Sequence, residues 1–175
     1  MSSARSRSTH PDAVDVIIDQ WKRELPELAS ENMALIGRLK RCFTLLMPRL
    51  DEVFAAYDLS NGAFDVLATL RRAGAPYILT PTELFASLMV TSGTMTTRLQ
   101  KMQKRGLIER IPNPDDARSM LVKLTGAGRE LVEKVVFEHV ENERRILEKL
   151  PAETRRQLDA GLAELMRVLE DAKKD

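Results

Sequence analysis

With 175 residues and a net charge of +1, from 27 Lys and Arg against 26 Asp and Glu, the chain is one ordinary domain or a core with an appended arm. Its bulk charge neither favours nor excludes nucleic acid, its 43% apolar content excludes wholesale disorder, and no run approaches the roughly eighteen apolar residues of a membrane span. The single cysteine, Cys42, excludes an internal disulfide or thiolate zinc cluster, and the distant His10 and His139 leave little for acid–base chemistry, so neither metal nor cofactor is expected.

Residues 1–8 lack the apolar stretch of a secretory signal and read as a tail on a cytoplasmic protein. Val14, Ile17, Ile18, Trp21 and Leu25 then repeat at helical spacing, predicting an added helix over 9–25. Thr9 and Asp12 supply its capping signal, Pro11 suits its first turn and Pro26 interrupts it. Over 26–58 the apolar rhythm of Met33, Ile36, Leu39, Phe43, Leu50 and Phe54 predicts a helix too long to be covered by its own small domain. Such a helix is expected to cross the centre of the molecule or a dimer interface.

Residues 59–125 carry the densest signals. Ser60 caps a helix that runs to about Ala73 and stops at Gly74 and Pro76. Thr80-Pro81-Thr82-Glu83 opens a short helix with a cap, a first-turn proline and a capping box. Met89 and Val90 connect it to a second helix, which starts near Thr91-Ser92 and stops at Gly106. Two period-two runs, Leu107–Ile111 and Met120–Leu124, flank a turn-rich tip at 113–118 and predict a hairpin. Thr125 opens a helix to about Lys149, and Pro151 begins a last one with Leu158, Leu162, Leu165 and Leu169 as its stripe. These C-terminal helices, over 126–175, are expected to dimerise.

Short helix, tight turn, polar helix and basic-tipped hairpin make the order of a winged helix-turn-helix, mainly α with one small β-hairpin wing. Between Arg98 and Arg118 six basic residues stand against three acidic ones, so positive charge is concentrated there. Met95, Leu99 and Met102 form the inward stripe of the polar helix; Thr94, Thr97, Arg98, Lys101 and Arg105 form its other face. Thr91, Ser92 and Thr94 offer short hydroxyls at the helix start, suited to a major groove. Thr97, Arg98 and Lys101 follow for the groove and its phosphates, and Arg118 at the hairpin tip suits a minor groove. Singly, each feature has a plainer explanation as a cap, a solvated face or a turn arginine; in this order, DNA binding explains them together.

Leu107-Ile-Glu-Arg110, Pro114-Asp-Asp-Ala-Arg118-Ser and Leu121-Val-Lys-Leu-Thr-Gly-Ala-Gly128 resemble the wing of the MarR family. Phe64-Asp-Val-Leu and Leu79-Thr-Pro-Thr-Glu-Leu84 resemble the helices before it. The resemblance covers roughly Met33 to the end. It implies a homodimer that binds a pseudo-palindromic double-stranded operator, usually as a ligand-released repressor. Ala117 stands where the family often has a second wing arginine. With two recognition helices about one turn apart, the operator is expected to span roughly 16–20 base pairs.

The chain also resembles the family's urate-responsive subgroup, whose added N-terminal helix carries a tryptophan. That resemblance implies a ligand set of Trp21, Asp65, Arg98 and Arg110 for a small aromatic anion. Arginines like the last two are common in the family, so Trp21 and Asp65 carry the inference. From the residues alone, Trp21 on its apolar stripe is explained by core packing, Asp65 beside Thr69 and Arg72 by solvation, and Arg98 in line with Lys101 and Arg105 by a phosphate contact. If the pocket forms, an indole can stack on urate and a planar guanidinium can pair with it. Asp65 is expected to pair with Arg98 or Arg110 until the anion competes for the arginine.

Other readings stay open. The regulator could answer another small anion, or a peroxide through Cys42, although that thiol beside Phe43 is expected to be buried and inert. An interaction module that has lost DNA is opposed by Arg118 and the intact polar helix. No nucleophile–base pair, metal spacing or phosphate loop supports an enzyme; Gly126-Ala-Gly128 is too short for one.

Overall fold

The computed structural model describes residues 11–88 and 95–172, in two compact units that meet between Arg49 and Leu50. The first holds α1 (Ala13–Glu24) and most of α2 (Glu31–Ala55). The cap of α1 is Asp12, not Thr9, which lies outside the described residues. The Asp12 carboxylate accepts from the backbone N–H groups of Val14 and Asp15, and Asp15 returns a bond to the Asp12 N–H at 3.0 Å. Arg38 of α2 grips both carboxylates, its Nε 2.8 Å from Asp12 Oδ2 and its Nη2 2.5 Å from Asp15 Oδ1. With Val14 and Ile18 buried, this fork fixes α1 on α2. The guanidinium, with the backbone donors, holds the Asp12 carboxyl down at about 2.

The second unit begins with the last turns of α2, whose stop is a Schellman motif. Leu59 N–H donates to Phe54 O and Asp58 N–H to Ala55 O, with Asp58 in the left-handed region at φ 53°. Leu59 and Phe54 are both buried, the apolar contact that accompanies this motif. After Ser60 as cap comes α3 (Asn61–Arg72), the most buried helix, with Val66, Leu67 and Leu70 wholly enclosed. Then follow β1 (Ile78–Leu79), α4 (Pro81–Ser87) and α5 (Met95–Lys104). Thr80 and Glu83 form the expected capping box on α4, and α5 ends on Gly106 at φ 69°. The wing strands are β2 (Ile108–Asn113) and β3 (Asp116–Leu124), followed by α6 (Gly126–Leu147) and α7 (Ala152–Asp171).

The hairpin is one edge of a three-stranded antiparallel sheet in the order β1-β3-β2, with Ile78 opposite Lys123 and Leu79 opposite Val122. Two residues are too few for a period-two signal, which is why β1 is invisible in the sequence. The chain is otherwise helical, as expected, and its core gathers Phe54, Phe64, Leu67, Leu84, Met95, Leu99, Met102, Val122 and Val132. The short glycine motif has a packing reason: a Cβ on Gly128 would lie 2.0 Å from Leu107 O, so the first turn of α6 can seat on the start of the wing only without one. No described helix is long and apolar enough to cross a membrane.

Candidate nucleic-acid interface and ligand site

α5 is held by the stripe predicted for it: Met95, Leu99 and Met102 are all buried. Periodicity then forces Thr97, Lys101 and Lys104 outward, and Lys101 and Lys104 are exposed. Thr91, Ser92 and Thr94 lie outside the described residues. Arg118 is exposed near the wing tip, where its N–H donates to Asp116 Oδ1 at 3.0 Å; Asn113 Oδ1 likewise accepts from Asp115 N–H at 3.0 Å. These side-chain turns shape the tip and leave the Arg118 side chain to solvent.

Arg98 behaves differently from its neighbours. Its guanidinium folds onto the first turn of α3, with Cζ 2.3 Å and Nη2 2.5 Å from the point a Cβ on Gly62 would occupy. Nη1 is buried and has no hydrogen-bond partner among the described residues. An unmatched guanidinium N–H out of water is costly, so an acceptor there would be stabilising. A groove of about 500 Å³ opens here, lined by Asp58, Ser60, Thr97, Arg98, Lys101 and Arg105 among others.

Asp65 lies one turn along α3 from Gly62 and is only 7% exposed, with Thr69 at 1%. The solvated reading is therefore corrected for Asp65 and Thr69, while Arg72 is exposed: α3 is enclosed on nearly all sides, and the polar pair at i and i+4 marks a buried polar strip. Arg110 is half-buried on β2. It pairs with Val122 and shares a sheet face with Ile108 and Leu124, which are buried, so it belongs to the face turned to the helices. Glu109 and Lys123 occupy the opposite face and form an ion pair of 2.8 Å. Asp65 and the Arg98 guanidinium thus share α3, and Arg110 lies on the inner side of the sheet packed against it. Trp21, in the first unit, is 40% exposed, so packing within that unit does not enclose it.

One further expectation is corrected. Cys42 is exposed, not buried, because the face of α2 that carries it and Phe43 has no cover among the described residues. Arg105, on the outward face as periodicity placed it, is exposed and also makes intramolecular bonds: it donates through Nη1 to Asp58 O and through Nη2 to Tyr57 O at 3.3 Å. Neither Gly62 nor this Arg105 contact carries a sequence signal, since both depend on elements brought together only by folding.

The MarR family model matches residues 57–119. The transcriptional regulator PecS of Dickeya dadantii is 44% identical over 149 residues, 85% of this chain and 90% of that protein. The multiple antibiotic resistance protein MarR of Escherichia coli is 38% identical over 100 residues, 57% of this chain and 67% of that protein. Among solved structures, a mutant E. coli MarR complexed with operator DNA superposes with a TM-score of 0.64 at 28% identity, over 79% of this chain and 99% of that one.

Proposed function

This chain belongs to the MarR family of DNA-binding transcriptional regulators, and from that premise we propose that it is a cytoplasmic homodimeric repressor whose hold on a pseudo-palindromic operator is released by a small aromatic anion, urate in particular. The observation that carries the ligand half is Arg98. Its buried Nη1, without a hydrogen-bond partner among the described residues, lies against the helix that carries Asp65. An anion accepting from that donor and paired with Arg110 would bring negative charge toward the buried Asp65 carboxyl; Trp21 is kept as a ligand residue on the family resemblance alone. Since Arg98 is part of α5, the resulting strain acts on the recognition helix, and ligand and DNA weaken each other reciprocally. Thr91, Ser92, Thr94, Thr97, Arg98, Lys101 and Arg118 are proposed for DNA, Arg98 being shared with the ligand.

The dimer rests on uncovered apolar surface. α7 buries no residue, leaving Leu158, Leu162, Met166 and Leu169 exposed; α6 exposes Phe137 at 78%, and α2 exposes Phe43 and Leu35. Faces of this size on an isolated chain mark an interface.

The test is fluorescence anisotropy on a duplex from upstream of its own gene, titrated with urate and with hypoxanthine as control. Saturable binding that urate alone reverses, with the response blunted in Asp65→Asn while most affinity remains, is the expected outcome. Asp65→Asn protein released at wild-type urate concentrations would sink the mechanism. Exposure of Cys42 favours one second reading, oxidative release; Cys42→Ser protein still released by hydroperoxide would remove it.

A further inference from the structure

One arginine links the ends of two helices in this fold. α5 closes as α2 does, in a Schellman motif: Leu107 N–H donates to Met102 O at 3.0 Å and Gly106 N–H to Gln103 O at 2.9 Å. Each helix end carries the negative pole of a helix dipole, and the last carbonyls of a helix have no partner within it. Arg105 directly follows the last residue of α5, just before Gly106, and its side chain reaches the end of α2. There Nη1 donates to Asp58 O and lies 3.6 Å from Asp58 Oδ2, while Nη2 donates to Tyr57 O at 3.3 Å. The carbonyl of the strained left-handed Asp58 is thus satisfied from the recognition helix.

We propose that Arg105 is a positioning residue: it pins the C-terminal end of α5 to the end of α2, setting the tilt of the recognition helix, and it makes no contact with DNA phosphate. The apolar stripe of Met95, Leu99 and Met102 fixes α5 along one line only. A helix seated on one line can still roll and tilt about it, and a cross-link at its far end removes that freedom. A guanidinium suits the task because its planar fork spans two carbonyls, whereas an ammonium is a single point of attachment. Lys101 and Lys104 on the outer face remain available for phosphate.

The inference separates from a phosphate role in a salt titration. Binding of the labelled duplex to wild type, Arg105→Ala and Arg105→Lys is followed across a salt series. If the wild-type protein does not select that duplex, the comparison is made on any duplex it holds, since phosphates are common to all DNA. A positioning residue predicts that both variants lose affinity, roughly tenfold for alanine as for one charge-assisted hydrogen bond, with the slope of log K against log [salt] unchanged. A phosphate contact predicts a slope shallower by about 0.9 for alanine and near-normal binding for lysine, which keeps the charge; that pair of results overturns the proposal. Unchanged affinity in both variants overturns it equally. Urea unfolding of the same proteins distinguishes lost positioning, with the midpoint near wild type, from a collapsed fold. If Arg105→Ala is too unstable to assay, Arg105→Lys alone decides the question.

Discussion

The Arg98 guanidinium occupies the space above Gly62 that any other residue would fill: a Cβ there would lie 2.3 Å from Cζ and 2.7 Å from Nη1. The second residue of α3 therefore governs where a recognition-helix arginine can rest. Gly62→Ala is expected to expel the guanidinium from α3 toward solvent. Urate response should be lost while DNA binding persists, with a salt slope steeper by up to about 0.9 if the freed arginine reaches a phosphate. A Gly62→Ala protein with wild-type urate response would show that the packing of Arg98 on α3 has no part in the ligand site.

The docking of α1 depends on charge. Asp12 is held at about 2, below its ordinary 3.8, chiefly by its hydrogen bond from Arg38, and Asp15 is lowered by the Asp12 N–H and by Arg38. A carboxyl lowered by folding contributes stability that is fully present above its unfolded value and is lost as pH falls through the folded one. Docking should therefore hold from neutral pH down to about 4 and fail toward about 2. Arg38→Ala should loosen α1 already at pH 7. Hydrogen exchange of the amides of 16–24, with Trp21 fluorescence anisotropy in parallel, reads both; equal protection in wild type and Arg38→Ala at pH 7 would refute the role of the fork.

Gly128→Ala should destabilise the wing. The new methyl would meet Leu107 O at 2.0 Å and Leu124 Cδ1 at 2.9 Å, and the first of these is backbone that cannot swing away. Overpacking of this kind costs about 2–3 kcal/mol, visible as a lower urea midpoint at constant slope. Gly161→Ala, with open space around it, serves as the control and should be neutral or slightly stabilising.

Leu162→Glu tests the dimer. The side chain is 38% exposed and α7 buries nothing within the chain, so the fold of one chain should lose little. Light scattering should show the mass fall from two chains to one, with operator affinity falling alongside. A dimer of undiminished mass would move the interface away from α7.

Local chemistry made much of this legible in advance. Thr80, Pro81 and Glu83 act within four residues of one another, so the start of α4 was readable from spacing alone. The same holds for Ser60 and Thr125 as caps, and for the stripe of Met95, Leu99 and Met102. The capping box that starts α1 is Asp12 with Asp15, the same local chemistry three residues on; Thr9 lies outside the described residues. Asp65 failed as a solvated residue because helical periodicity tells which residues share a face but not whether a second layer covers it. For α3 the wing, α5 and α6 all do.

By itself the sequence determined the helical order, the caps, the inward stripe of α5 and the concentration of positive charge between Arg98 and Arg118. Each of these follows from interactions within a turn or two of chain. Only the tertiary structure decided how three arginines of similar spacing are used: Arg98 turned onto Gly62, Arg105 tied to the end of α2, and Arg110 half-buried on the inner sheet face. The reason is physical reach. A guanidinium on its flexible stem settles wherever folding supplies carbonyls, a carboxylate or a missing Cβ, and those partners come from elements 36 to 48 residues away in the chain.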